Sequence, residues 1–172
     1  MIYEFCAENV TLLKKAMQAG ARRIELCDNL AVGGTTPSYG VTKAAVELAS
    51  NYDTTIMTMI RPRGGDFVYN DLEISIMLED IRVTAQAGSQ GVVFGALTAD
   101  KKLDKSNLEK LIAASKGMEI VFHMAFDELS DEDQLEAIDW LSQAGVTRIL
   151  TRAGVSGDSL EKRFAHYRRI LE

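Results

Sequence analysis

Two Glu-x-Cys triplets stand near the start of the chain, Glu4-Phe5-Cys6 and Glu25-Leu26-Cys27, and they hold its only two cysteines. Side chains two apart on an extended strand share a face, so each triplet sets a carboxylate and a thiol on one side. Neighbouring strands lie about 4.8 Å apart. If both faces point inward, the thiols approach closely enough to hold a soft monovalent ion, Cu(I), in a roughly linear site. Cys6 and Cys27 are the expected metal ligands, with His123 or a rim methionine as a third donor. Packing is the competing role, because free cysteine is a common small core residue.

A second constellation is Met57-Thr58-Met59-Ile60-Arg61-Pro62-Arg63-Gly64-Gly65-Asp66. Arginine forks suit carboxylate or phosphate, and the glycine pair lets backbone N–H groups approach a ligand. Arg61 and Arg63, with Glu4, are therefore the expected ligand-binding residues. The alternative is that both arginines pair with rim acids such as Glu4, Glu25 and Asp127. Met57 and Met59 read as core. The third constellation is Phe122-His123-Met124-Ala125-Phe126-Asp127. If the protein is an enzyme, Glu25, His123 and Asp127 are its expected acid/base groups. The competing role for His123 is a hydrogen-bonded structural histidine. No P-loop, GxGxxG, CxxC, HExxH or GxSxG motif is present, and no organic cofactor is implied.

Something must carry these residues to one place. The chain alternates apolar strands with helices: strands at 2–7, 23–27, 54–60, 91–97, 119–125 and 147–151, helices at 10–19, 42–50, 71–87, 106–115, 131–144 and 159–171. Ala19-Gly20, Ala87-Gly88 and Ala144-Gly145 repeat one punctuation: helix end, glycine cap, short turn, apolar strand. Strands buried on both faces and alternating with helices make a parallel sheet. Polar residues follow the first strand (Glu8, Asn9), the second (Asp28, Asn29), the third, the fifth and the sixth (Thr151, Arg152). An open sheet gathers its site at one switch point, whereas a barrel draws it from all the βα loops at one face. The expected fold is α/β, a TIM (β/α)8-type barrel in a single domain over 1–172. About six βα units are visible, two short of a full barrel.

The 172 residues are 47% hydrophobic and 26% charged, and the net charge is −6. A mildly acidic chain excludes general nucleic-acid binding, which needs basic patches for phosphate. There is no 18-residue apolar run to cross a membrane and no signal-peptide pattern at the N-terminus. Two cysteines in such a chain read as reduced thiols, so a cytoplasmic location is expected.

Taken together the blocks resemble the CutC family of copper-homeostasis proteins. The matching segments are Phe5-Cys6, Arg23–Asp28, Gly33–Gly40, Met59–Phe67 with Tyr69, Val93–Thr98, Phe122–Asp127 and Arg148–Thr151, in the family's order over nearly the whole chain. The resemblance implies a TIM-barrel-like fold, a cytoplasmic location and a role in copper handling. It makes Cys6 and Cys27 candidate copper ligands. It also implies that Glu4, Glu25, Arg61, Arg63, His123 and Asp127 form a pocket of enzymatic aspect without a settled reaction. Two departures stand out. Met124 replaces an arginine common in relatives, which removes a rim charge and adds a soft sulfur. The family also normally continues past Glu172 with further strands, so the C-terminal βα units are expected to be missing. A bare apolar sheet edge needs cover, which makes a homodimer the expected assembly. The leading expectation is thus cytosolic Cu(I) binding through strand-end cysteines. The alternative is a barrel enzyme acting on a small phosphorylated or carboxylated metabolite.

Overall fold

In a computed structural model, which describes residues 1–154 and 158–171, six parallel strands form one sheet in the order β1-β2-β3-β4-β5-β6. They are β1 (Glu4–Glu8), β2 (Arg23–Cys27), β3 (Thr55–Met59), β4 (Gly91–Phe94), β5 (Glu119–Phe122) and β6 (Arg148–Ile149). The helices are α1 (Leu13–Gln18), α2 (Tyr39–Ala49), α3 (Asp71–Ala87), α4 (Lys105–Ala114), α5 (Asp131–Gln143) and α6 (Leu160–Leu171). Each strand pairs in parallel with the next in sequence, and the result is a half-barrel of the TIM type. Among the described residues β1 and β6 each have a strand on one side only.

Local chemistry sets the boundaries. α3 opens with a capping box in which Asn70 and Glu73 bond each other's backbone N–H, and Asp71 and Glu73 complement the helix dipole. Ser38, Asp104 and Ser130 cap α2, α4 and α5 by accepting from the N–H groups of Val41, Asn107 and Asp133, without the reciprocal bond. Gly20, Gly88 and Gly145, the repeated punctuation, sit at φ of +98°, +87° and +91°, a conformation that favours glycine. α1 has no side-chain cap and shrinks to 6 residues. The fifth strand stops at Phe122, earlier than the apolar run suggests. The His123 ring accepts a bond from the Ala125 N–H and starts a 3₁₀ turn over Met124–Glu128.

Strand parity divides the core in two. Ile24, Leu26, Ile56, Val92, Phe94, Ile120 and Phe122 face the helices in two buried apolar clusters. The opposite face carries Cys27, Met57, Met59, Val93 and Val121, with Leu150 against them, and this is the inside of the half-barrel. The inner rows of β1, β2, β5 and β6 start on charged residues. Glu4 pairs with Arg23 at 3.2 Å across β1 and β2, and Glu119 with Arg148 at 2.6 Å across β5 and β6.

Candidate functional site

The register Cys6↔Glu25 and Glu8↔Cys27 puts the two triplets side by side. Cys6, Glu25 and Cys27 form a group whose sulfur and carboxylate atoms all lie within 4.8 Å of one another. Glu25 Oε1 is 3.7 Å from Cys27 Sγ and 4.0 Å from Cys6 Sγ. Glu25 and Cys27 are buried and Cys6 is exposed, so the group opens to one side through a single thiol. Both cysteines are free. The loop after β2 closes over the inner thiol: a Cβ on Gly34, at φ +87°, would stand 3.1 Å from Cys27 Sγ.

Charge in this group is strained by confinement. Burial, with Glu4 adding to it, pushes the Glu25 carboxyl up to about 7. The Cys27 thiol donates toward Cys6, which holds Cys6 below the usual thiol range. The same contact, together with burial, pushes Cys27 up. Cys6 therefore loses its proton before Cys27. Two thiols and a carboxylate in contact form a donor set of mixed softness, with the sulfurs suited to Cu(I) and the oxygen to harder ions.

A second arrangement fills the loops at the C-terminal ends of the strands. Arg61 is buried, and its guanidinium donates to the carbonyls of Val32 at 2.9 Å, Gly34 at 3.0 Å and Gly65 at 2.7 Å. Thr36 bonds the Arg61 backbone from both sides, so the loops after β2 and β3 are stitched together. The guanidinium lies over the Phe67 ring, 4.9 Å from its centroid, and Phe67 in turn stacks 4.7 Å from His123. Arg63 reaches Glu73 at 2.5 Å, Asp66 at 3.0 Å and the Val68 carbonyl at 2.8 Å. Both arginines, expected to hold a ligand, hold their own loops. Their carboxylate partners, where they have any, are Glu73 and Asp66 rather than Glu4, Glu25 or Asp127.

His123 is fully enclosed. Burial, with Arg61 beside it, holds the imidazole down at about 3, so the ring is neutral. Its Nδ1 accepts from Ala125 N–H, which places the proton on Nε2, and Nε2 has no partner among the described residues. The ring fits only because residue 95 is glycine: a Cβ there would stand 2.7 Å from Nδ1. Asp127 accepts from the Thr151 hydroxyl and, at 2.9 Å, from Arg152 N–H. Arg152 Nε lies 2.9 Å from Met124 Sδ. A cavity of about 240 Å³ lies here, lined by Arg61, Phe67, Met124, Asp127 and Arg152 among others.

The structure thus brings Cys6, Glu25 and Cys27 together, and separately Arg61 and Asp127 around the cavity with His123 behind Phe67. His123 does not belong to the cysteine group. Glu4, expected at the rim, sits at the start of β1 and pairs with Arg23, below the thiols rather than above them. Residues the sequence reading passed over include Arg23, Phe67 and Gly95. The Gly33-Gly34 pair was visible in the loop after β2, and its structural reason is close approach: a Cβ on Gly34 would press on Cys27.

Comparison with known proteins agrees with this frame. The CutC family model matches residues 1–165. A CutC family protein of Enterococcus faecalis is 52% identical over 171 residues, which is 99% of this chain and 82% of that protein. A crystal structure of a CutC protein from Streptococcus agalactiae, assigned to copper homeostasis, superposes with a TM-score of 0.95 at 45% identity. It covers 99% of this chain and 81% of that one. An archaeal fructose 1,6-bisphosphate aldolase superposes with a TM-score of 0.62 at 15% identity over 91% of this chain and 61% of its own, a likeness of fold alone. With the half-barrel, the paired triplets and these matches in agreement, the chain belongs to the CutC family.

Proposed function

We propose that the protein serves copper homeostasis in the cytoplasm by binding Cu(I) between Cys6 and Cys27, with Glu25 beside the ion. One observation carries the reading: the three donor atoms already lie within 4.8 Å of one another. A metal–thiolate bond is about 2.3 Å, so an ion midway between two sulfurs spans about 4.6 Å, and little rearrangement is needed. A relative assigned to copper homeostasis supports it. Cys6, exposed and first to ionise, is the entry ligand; Cys27 completes the bond after losing its own proton. The expected homodimer belongs to the same proposal.

The test is an anaerobic Cu(I) competition titration against a chromogenic chelator, wild type beside Cys6→Ser/Cys27→Ser. One-to-one binding that falls by at least about 100-fold in the double variant supports the reading. Equal binding in the two proteins removes it.

One observation favours a second reading. The buried, neutral His123 presents an Nε2–H without a partner, close to the cavity at the barrel mouth. In this reading the protein is an enzyme on a small anionic metabolite. Arg152 at the cavity wall attracts the anion, and Asp127 and His123 serve as proton carriers, while Arg61 holds the loops that shape the cavity. A thermal-shift screen of phosphorylated and carboxylated metabolites that raises Tm for none of them counts against it.

A further inference from the structure

We propose that the Met59 thioether is a third sulfur donor to the ion held by Cys6 and Cys27; the inference rests on the copper reading above. Leu26 pairs with Thr58, so the next residues, Cys27 and Met59, stand beside each other on the inner face of β2 and β3. Both are buried and belong to one contact cluster. Met59 thus stands beside Cys27 on one side, and Cys6, opposite Glu25, lies diagonally across from Cys27 on the other.

The other inner methionine is committed elsewhere. Met57 lies over Gly91 on β4, where a Cβ would meet its Cε at 2.1 Å and its Sδ at 2.7 Å. Met59 is the one whose neighbour is the thiol. The chemistry favours a thioether in this position. It is soft, so it suits Cu(I) better than the Glu25 oxygen does. It carries no charge, so it adds a donor beside two thiolates without adding repulsion. It also has no proton to lose, so it can join the site at any pH at which the thiolates form. A third sulfur from inside the half-barrel would hold the ion on the buried side of Cys27, away from water.

Copper-edge X-ray absorption on selenomethionyl protein loaded with one equivalent of Cu(I) tests this, the soft selenium standing in for the thioether sulfur. The expected result is a copper–selenium shell that disappears in Met59→Leu and persists in Met57→Leu. Met59→Leu keeps the side-chain volume, so the fold is retained. Its Cu(I) affinity should fall about tenfold while Met57→Leu matches wild type. Copper-loaded wild type with no selenium neighbour overturns the inference and leaves the two-cysteine site standing. So does a selenium shell that survives Met59→Leu. A wild type that takes up no Cu(I) overturns the cysteine reading and this inference with it.

Discussion

On β1 and β2, Cys6, Glu25 and Cys27 touch one another through contacts of 3.7 and 4.0 Å, too long and too soft to satisfy any of them fully. On the loops after β3, Arg61 and Arg63 make short bonds to carbonyls and carboxylates of their own neighbourhood. Both regions looked chemical in the sequence. They differ in what the surrounding chain can offer. A guanidinium has five donors, and any loop supplies carbonyls to meet them. A thiol inside a half-barrel finds no comparable partner, since sulfur hydrogen-bonds weakly. The rim arginines are consumed by organisation, whereas the cysteine group has only long contacts within itself.

Breaking the arginine side should damage the fold more than breaking the cysteine group does. Arg61→Ala leaves three carbonyls without their donor and should cost about 4 kcal/mol in chemical denaturation. A loss below about 1 kcal/mol would show that water replaces the guanidinium easily. The next largest effect separates the two regions by pH. Between about 4.5 and 7 the native state keeps a proton on Glu25 that the unfolded chain releases. Its contribution to stability is full below that window and lost as pH rises through it. His123 has the opposite sign: the unfolded chain binds a proton near 6.5, the native ring only near 3, so stability falls as pH drops through that range. The two slopes oppose each other in the metal-free protein. Glu25→Gln should remove the first, worth up to about 3 kcal/mol, and leave stability rising from pH 4.5 to 6.5. An unchanged pH profile of denaturation midpoints would mean that water reaches Glu25.

Smaller effects sharpen the contrast. Gly34→Ala places a Cβ against Cys27 Sγ at a positive φ. It should cost about 1–2 kcal/mol and weaken Cu(I) binding as well, because it presses on the thiol. A variant that loses stability but binds copper like wild type would mean the loop is free to move off the sulfur. Arg63→Ala should be the mildest, below about 1 kcal/mol, because its partners Asp66 and Glu73 belong to a half-exposed network. It should leave the copper titration unchanged.

Much of the frame was legible in the sequence because it follows from short-range rules. Period-2 parity put Glu25 and Cys27 on one face, and the register then brought Cys6 beside them. The glycine after each of three helices marked the turns into β2, β4 and β6. The fate of Arg61 was not legible, because its partners are the carbonyls of residues 32, 34 and 65, and backbone groups look alike in every sequence. The end of β5 was missed for a related reason: a side chain, His123, captured the backbone two residues on and turned an apolar run into a 3₁₀ bend. Glu4 was misplaced because parity says which face a residue takes, not which end of the strand the ligands use.

Gly95 and His123 also bear on how this chain can change over generations. With the imidazole in place, position 95 admits no side chain at all, since even a methyl group would stand 2.7 Å from Nδ1. Replacing His123 by something smaller would open a void that alanine at 95 could then fill. The two positions can drift only in that order, histidine first, and reversion of His123 is blocked once residue 95 has grown. A lineage that passes this step regains the buried ring only after residue 95 has first returned to glycine.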